Sequence, residues 1–254
     1  MDVVYVIGTG SKWNNNELKY SLRSICRFGQ HLGEVYIVGD MLPDFIDPST
    51  VHFLRVADLP DVPSAISVSH KIACAFSHFN LEKFLLSSDD HFFIKPVDFD
   101  RWPVHYKGPQ MPDESQLGND SIGSRQYRQA MVDTRRFMKR LGLDTKYYEG
   151  HTNKLYTREA WHYIAGFSKE FIEIVGKAKY GISMNSPMAA TIMKMHPEYP
   201  CIGRRDVKLR HLNTPEDWEQ LKGTESFSIY DSAIKTGVAG LLQVLFPDKC
   251  RYEK

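Results

Sequence analysis

Residues 84–97 read FLLSSDDHFFIKPV, so Asp89, Asp90 and His91 stand together between two apolar runs. Adjacent carboxylates are most often a solvated turn. Here the pair closes one apolar run and a second begins at once, so both acids emerge from the core together. Buried charge without a partner is costly, and such a pair calls for a cation or strong donors. A divalent metal shared with diphosphate oxygens meets that need, because Mg²⁺ and Mn²⁺ take one or two carboxylates plus substrate phosphates. Imidazole suits transition metals, so His91 as a ligand turns the choice toward Mn²⁺. The alternative is a structural histidine pointing inward.

The elements around this motif alternate. VVYVIG (Val3–Gly8), EVYIVGD (Glu34–Asp40) and EKFLLSS (82–88) are continuous apolar runs that read as strands buried on both faces. VHFLRVAD (Val51–Asp58) is a shorter strand. NELKYSLRSICRFG and SAISVSHKIACAFSHF read as helices, the first opened by Asn15 or Asn16 and closed by Gly29. Strand, helix, strand in this order predicts an α/β fold with a mostly parallel sheet flanked by helices. Ligands in such sheets sit beyond the carboxyl ends of the strands. The loops Gly8–Asn16, Gly39–Leu42 and Ser88–His91 are therefore the ones that matter. The Pro- and Gly-rich segment 107–124 reads as a mobile loop or lid, and the rest as a more helical half sharing one domain, 1–254. DSAIKTGVAGLLQVLF, from Asp231, reads as a helix packed on the surface.

Composition narrows the classes. The chain has 254 residues with 32 basic and 31 acidic side chains, so no global field announces nucleic acid or membrane. Four dispersed cysteines show no zinc spacing and read as reduced thiols of a cytoplasmic protein. The N-terminus lacks signal-peptide character, and no apolar stretch predicts a membrane span.

NNELKYSLRSI, EVYIVGD, SHKIACAFSH and EKFLLSSDDHFFIKPV resemble, in that order, the nucleotide-sugar transferases of the GT-A fold. The chain looks most like the Stealth-like sugar-phosphate transferases and related phage and bacterial glycosyltransferases. The resemblance covers residues 1–100 and is weaker beyond. It implies a nucleotide-sugar-binding half, 1–100, and an acceptor-side half, 101–254. It also implies a metal-dependent transfer from a nucleotide sugar, a UDP-sugar first among them, to an acceptor hydroxyl. The family's Asp-x-Asp motif falls on Asp89, Asp90 and His91, with His91 where an acid is expected. Asp89 is then placed at the donor, and the metal at Asp90, His91 or both. Gly8, Thr9 and Gly10 would approach the base or ribose, Asp40 and Lys71 the nucleotide and phosphates, and Arg23 the donor less securely. A distal histidine often joins the metal in this fold, and His211 is the candidate. Sugar-1-phosphate transfer in polysaccharide synthesis is the alternative chemistry, and a non-catalytic nucleotide or nucleic-acid binding module the alternative class.

The remaining candidates divide evenly. GTGS (Gly8–Ser11) fits neither phosphate-loop motif, and its glycines read as allowing close backbone approach. Trp13 either stacks on a base or covers the loop. Glu149, His151 and Asp206 compete as general base, with a structural role open for His151. On a helix over Arg125–Leu141, Arg125, Arg128, Arg135, Arg136, Lys139 and Arg140 fall within an arc of roughly 140°. Asp133 is the only acid there. That strip reads either as a solvated face or as a contact for an anionic acceptor. Hydroxymethylated phage DNA in a host cytoplasm is the concrete case, with anionic polysaccharide and lipid-linked diphosphates as competitors.

Overall fold

The computed structural model describes residues 1–118, 122–203, 207–211 and 214–254. The first apolar run forms β1 (Asp2–Val6), whose Val3, Val4 and Tyr5 are fully buried, as an unbroken apolar strand should be. It is followed by α1 (Asn16–Phe28), a short β2 (Gly29–Gln30), β3 (Val35–Gly39), β4 (His52–Arg55), α2 (Ser64–Phe79) and β5 (Lys83–Ser87). β1 pairs in parallel with β3 on one side and β5 on the other, and β4 extends β3 in parallel. Next come β6 (His91–Phe93), β7 (Val97–Asp98), β8 (Val104–Tyr106), α3 (Ile122–Arg140) and β9 (Lys154–Thr157). β9 lies antiparallel on β5, giving the order β4-β3-β1-β5-β9. The fold is thus mixed α/β with a mostly parallel central sheet. At its carboxyl edge β3 must end in Gly39, because a Cβ there would lie 2.3 Å from Ile7 Cγ1.

The chain continues through α4 (Arg158–Ala165), α5 (Ser168–Val175), α6 (Asn185–Met195), β10 (Cys201–Gly203), β11 (Lys208–Leu209), α7 (Pro215–Glu219), β12 (Ser226–Ile229) and α8 (Val238–Leu245). A second sheet has the order β11-β12-β6, with β12 antiparallel to β6. β5 and β6 therefore belong to different sheets. The two apolar runs flanking Asp89 and Asp90 are strands of those two sheets, and the acids occupy the turn between them.

Each sheet carries its own core. The larger one spans both halves of the chain, from Val3 to Ile192, and includes Tyr252. The smaller packs Tyr20, Phe92 and Phe227 against Val238, Leu242 and Phe246 of the tail. The tail is thus not a surface helix. A 3₁₀ turn over Asp231–Thr236 is separated from α8 by Gly237, whose φ of +90° suits glycine, and α8 fills the second core.

Arg23 locks this arrangement. Its Nε and Nη2 donate to the Glu253 carboxylate at 2.7 and 2.8 Å, and its Nη1 donates to the carbonyls of Phe246 and Pro247. The expected donor-binding arginine is therefore turned away to the C-terminal segment, as a buried ion pair with Glu253.

Candidate active site

The carboxyl ends of β1, β3, β4 and β5 bring the predicted loops to one edge. The β1 loop is fixed from below. Thr9 donates its N–H and hydroxyl to Asp58 Oδ2, both at 3.1 Å, leaving Gly8 and Gly10 exposed beside it. Lys71 donates to Asp58 Oδ1 at 2.6 Å and to the Ile7 carbonyl at 2.8 Å. With 1 % of its surface exposed, Lys71 pins this loop and does not present its ammonium to a phosphate. Trp13 stacks on Tyr20 at 5.6 Å and 17°, which favours the covering role over base stacking. Asp40 faces Arg55 at 3.5 Å.

The turn between the sheets gathers more acids than the motif itself. Glu17, buried in the first turn of α1, accepts the Ser11 hydroxyl at 3.0 and 2.9 Å. Burial raises its pKa, and Asp231 and Asp90 push in the same direction. Asp89 is half-buried. Burial pushes its carboxyl up to about 7, with repulsion from Asp90, Glu17 and Asp231 adding to it. Lys208 is a cation at this cluster, its Nζ 3.4 Å from Asp90 Oδ2 and 3.5 Å from His151 Nδ1. His91 is buried and its pKa is lowered by that burial, against the pull of Asp90, so the ring is neutral near pH 7. Its Nε2 lies 3.6 Å from Asp90 Oδ1, and its Nδ1 has no hydrogen-bond partner among the described residues.

Among the described residues, no group of three or more His, Cys, Asp or Glu side chains is arranged to hold an ion. The donor chemistry nonetheless fits: hard carboxylates at Asp89 and Asp90, and a neutral buried imidazole whose Nε2 lies beside Asp90. His211 does not join them. Its Nδ1 pairs with Asp217 Oδ2 at 3.1 Å at the start of α7, and Lys208, from β11, is the residue that reaches Asp90.

The crowding has a measurable consequence. Asp89 carries a raised folded-state pKa of about 7 against an ordinary 3.8, so its stabilising effect is complete at low pH and lost as pH rises through about 7. Metal-free protein should therefore lose on the order of 1–2 kcal/mol between pH 5.5 and 8 from this group, allowing for screening at a half-buried site. Urea unfolding of wild type and Asp89→Asn checks this. The variant should show a flatter profile and the higher stability at pH 8.

Two cavities adjoin here, and the smaller one opens beside the turn. One, of about 210 Å³, is lined by Ser88, His91, Lys107, His151, Thr152 and Lys154 among others. The other, of about 720 Å³, lies between the starts of α2 and α3 and the 179–185 segment. Val68, Tyr127, Glu149 and Asn185 line both. Glu149 is buried at that junction, where it accepts from Ser186 N and Oγ at 3.2 and 3.0 Å and from Asn185 Nδ2 at 3.2 Å. His151 meets His91 edge-on at 6.5 Å. Asp206, the third base candidate, lies outside the described residues.

The basic strip on α3 is real, but acids distant in sequence answer it. Arg135 pairs with Asp113 at 3.0 Å, Arg136 with Glu114 and Asp133 at 2.9 and 2.7 Å, and Arg140 with Glu173 at 2.7 Å. Arg128 donates to the Gln116 carbonyl, while Arg125 and Lys139 are exposed. The same contacts hold down the segment expected as a lid. Lys107 and Met111 donate backbone N–H groups to Tyr147 and Thr145, and Met111 is buried. Residues 119–121 of that segment lie outside the described residues. Arg136→Ala should cost at most about 1 kcal/mol, because its side chain is 52 % exposed. Arg135→Glu should cost more, about 1–3 kcal/mol, because a half-buried acid would meet Asp113. Urea unfolding of both variants measures the difference.

Glu17, Asp58, Thr152, Lys154, Lys208 and Asp231 join the site without having been singled out by sequence. Only Glu17 left a signal, as an acid in the first turn of a helix following a strand-end loop. In comparisons with known proteins, no family model matches the chain and no curated protein matches it.

Proposed function

We propose that this protein is a metal-dependent glycosyltransferase of the GT-A type, moving a sugar from a nucleotide sugar to an acceptor hydroxyl. The observation that carries this reading is the acidic turn between β5 and β6. Asp89 and Asp90 stand at the carboxyl edge of a parallel sheet, within the electrostatic reach of Glu17 and Asp231 and beside a buried neutral imidazole. Mn²⁺ or Mg²⁺ bound there by Asp89, Asp90 and His91 would neutralise the departing diphosphate.

The protein's own residues supply the rest. Asp58 and Lys71 hold the Gly8–Gly10 loop in place for the nucleotide. A nucleotide sugar needs a pocket of roughly 300–1,000 Å³, which the larger cavity and the open edge provide together. The acceptor oxygen attacks the anomeric carbon, the bond from that carbon to the diphosphate oxygen breaks, and the acceptor proton passes to a base. Glu149 is the base this geometry favours. It lies where the two cavities meet, and donors from the start of α6 fix its carboxylate. His151 is engaged with Lys208. An anionic acceptor such as hydroxymethylated phage DNA loses much of its support, since acids of this same chain already neutralise much of the α3 strip. A hydroxyl on a neutral or carbohydrate acceptor entering the larger cavity fits better.

The nucleotide released tests the chemistry. A nucleoside diphosphate marks glycosyl transfer, and a monophosphate marks sugar-1-phosphate transfer by the same site. No turnover, with nucleotide binding intact in Asp90→Ala, marks a binding module.

A further inference from the structure

We propose that Cys26 and Cys250 form a thiol–disulfide site, in which Cys26 attacks a low-molecular-weight disulfide and Cys250 then closes a bond that ties α1 to the C-terminal segment. Neither thiol lines the cavities near the acidic turn, so this site is independent of the transfer reaction.

The fold makes the pair. Cys26 and Cys250 lie more than two hundred residues apart, without the short spacing of a redox motif. Arg23, Cys26 and Arg27 share one face of α1, being three and four residues apart. The C-terminal segment runs across that face. Arg27 donates to the Leu245 carbonyl at 2.7 Å, Arg23 donates to the carbonyls of Phe246 and Pro247, and Cys26 accepts the Arg251 backbone N–H. Cys250 is fixed in turn by its own N–H, which donates to Glu253 Oε1 at 3.0 Å, on the carboxylate that Arg23 holds. The two thiols are hydrogen-bonded to each other and line one cavity of about 370 Å³. Both are half-buried, so a small disulfide can meet them from that cavity.

The two sulfurs are chemically unequal. The hydrogen bond from Cys250 holds Cys26 below the ordinary cysteine value against its burial, and the charge and N–H of Arg251 act with that bond. The same bond, together with burial, pushes Cys250 up. Thiolate is the attacking species, so Cys26 reacts first. Its sulfur attacks the small disulfide, whose S–S bond breaks and releases one thiolate with the electron pair. Capping Cys26 removes the acceptor that kept the proton on Cys250. Cys250 then loses that proton, attacks the Cys26 sulfur and expels the second small thiolate. Two protein thiols are oxidised, the small disulfide is reduced to two thiols, and the two protein protons end on those thiols. The other cysteines are placed differently: burial raises Cys201, and Cys74 sits beside His70 at 3.8 Å.

Incubation of the reduced full chain with glutathione disulfide near neutral pH, then iodoacetamide, non-reducing digestion and mass spectrometry, tests the site. A Cys26–Cys250 disulfide should be the main product, reversed by dithiothreitol. Cys250→Ser should accumulate a glutathione adduct on Cys26. In Cys26→Ser, uptake at Cys250 should be about tenfold slower than that, while Cys201→Ser behaves as wild type. Oxidation should also raise the urea midpoint of the wild type, since the bond closes a loop spanning most of the chain, and should not raise that of Cys250→Ser. Mapping the wild-type disulfide needs no substitution, so it decides the matter if a variant fails to fold. Absence of a Cys26–Cys250 bond overturns the proposal. So does an adduct in Cys250→Ser on Cys74 or Cys201 rather than Cys26, or uptake at Cys250 in Cys26→Ser that is equally fast.

Discussion

Asp90→Ala is expected to slow nucleotide-sugar turnover by about 10³-fold, on the order of 4 kcal/mol of transition-state stabilisation. The loss follows from position. Asp90 is the carboxylate in contact with both Lys208 and His91, so its removal disconnects the acidic turn from the cationic side of the site. The fold should not suffer, because the side chain is partly exposed and its removal relieves the repulsion on Asp89. Steady-state kinetics at saturating Mn²⁺, with a thermal melt of the same sample, separates the two effects. Lost activity with an unchanged or higher melting temperature is the expected pair. Unchanged activity would mean that the turn plays no part in the reaction.

Arg23→Ala should be the most destabilising single change, at about 3–5 kcal/mol, because it strands a buried Glu253. Burial alone would raise the Glu253 pKa, yet the Arg23 bonds and the Cys250 N–H hold it below the usual glutamate value. That stabilising contribution is present above the ordinary glutamate pKa and fades as pH falls through the folded-state value. Arg23→Lys should recover little of the loss, since an ammonium cannot reproduce the two-pronged contact. Urea unfolding at pH 7 measures both variants. An arginine at the donor would behave differently, with donor affinity lost and stability kept.

How much was legible in the sequence follows from the range of each interaction. β1 and β5 stand out because burial on both faces needs an unbroken apolar run, and α2 occupies the segment its pattern marks. The acids of the turn were visible as two charges interrupting apolar sequence. That the following run belongs to a second sheet was not visible, because β6 finds β12 more than a hundred residues later. The same distance hid Lys208 and Asp231. Arg135 and Arg140 illustrate the opposite error. Local sequence shows a strip almost without acids, while Asp113 and Glu173 arrive from neighbouring elements. Lys71 looked available because a helical lysine is solvated by default, and only its contact with Ile7 and Asp58 shows it to be committed.

Incubation of the protein with a panel of nucleotide sugars, in Mn²⁺ and in excess chelator, tests the metal-dependent transfer most directly. Chromatography of the nucleotides released should show a nucleoside diphosphate from one donor in Mn²⁺ and none in chelator. Every donor remaining intact, or release continuing undiminished in chelator, would contradict it.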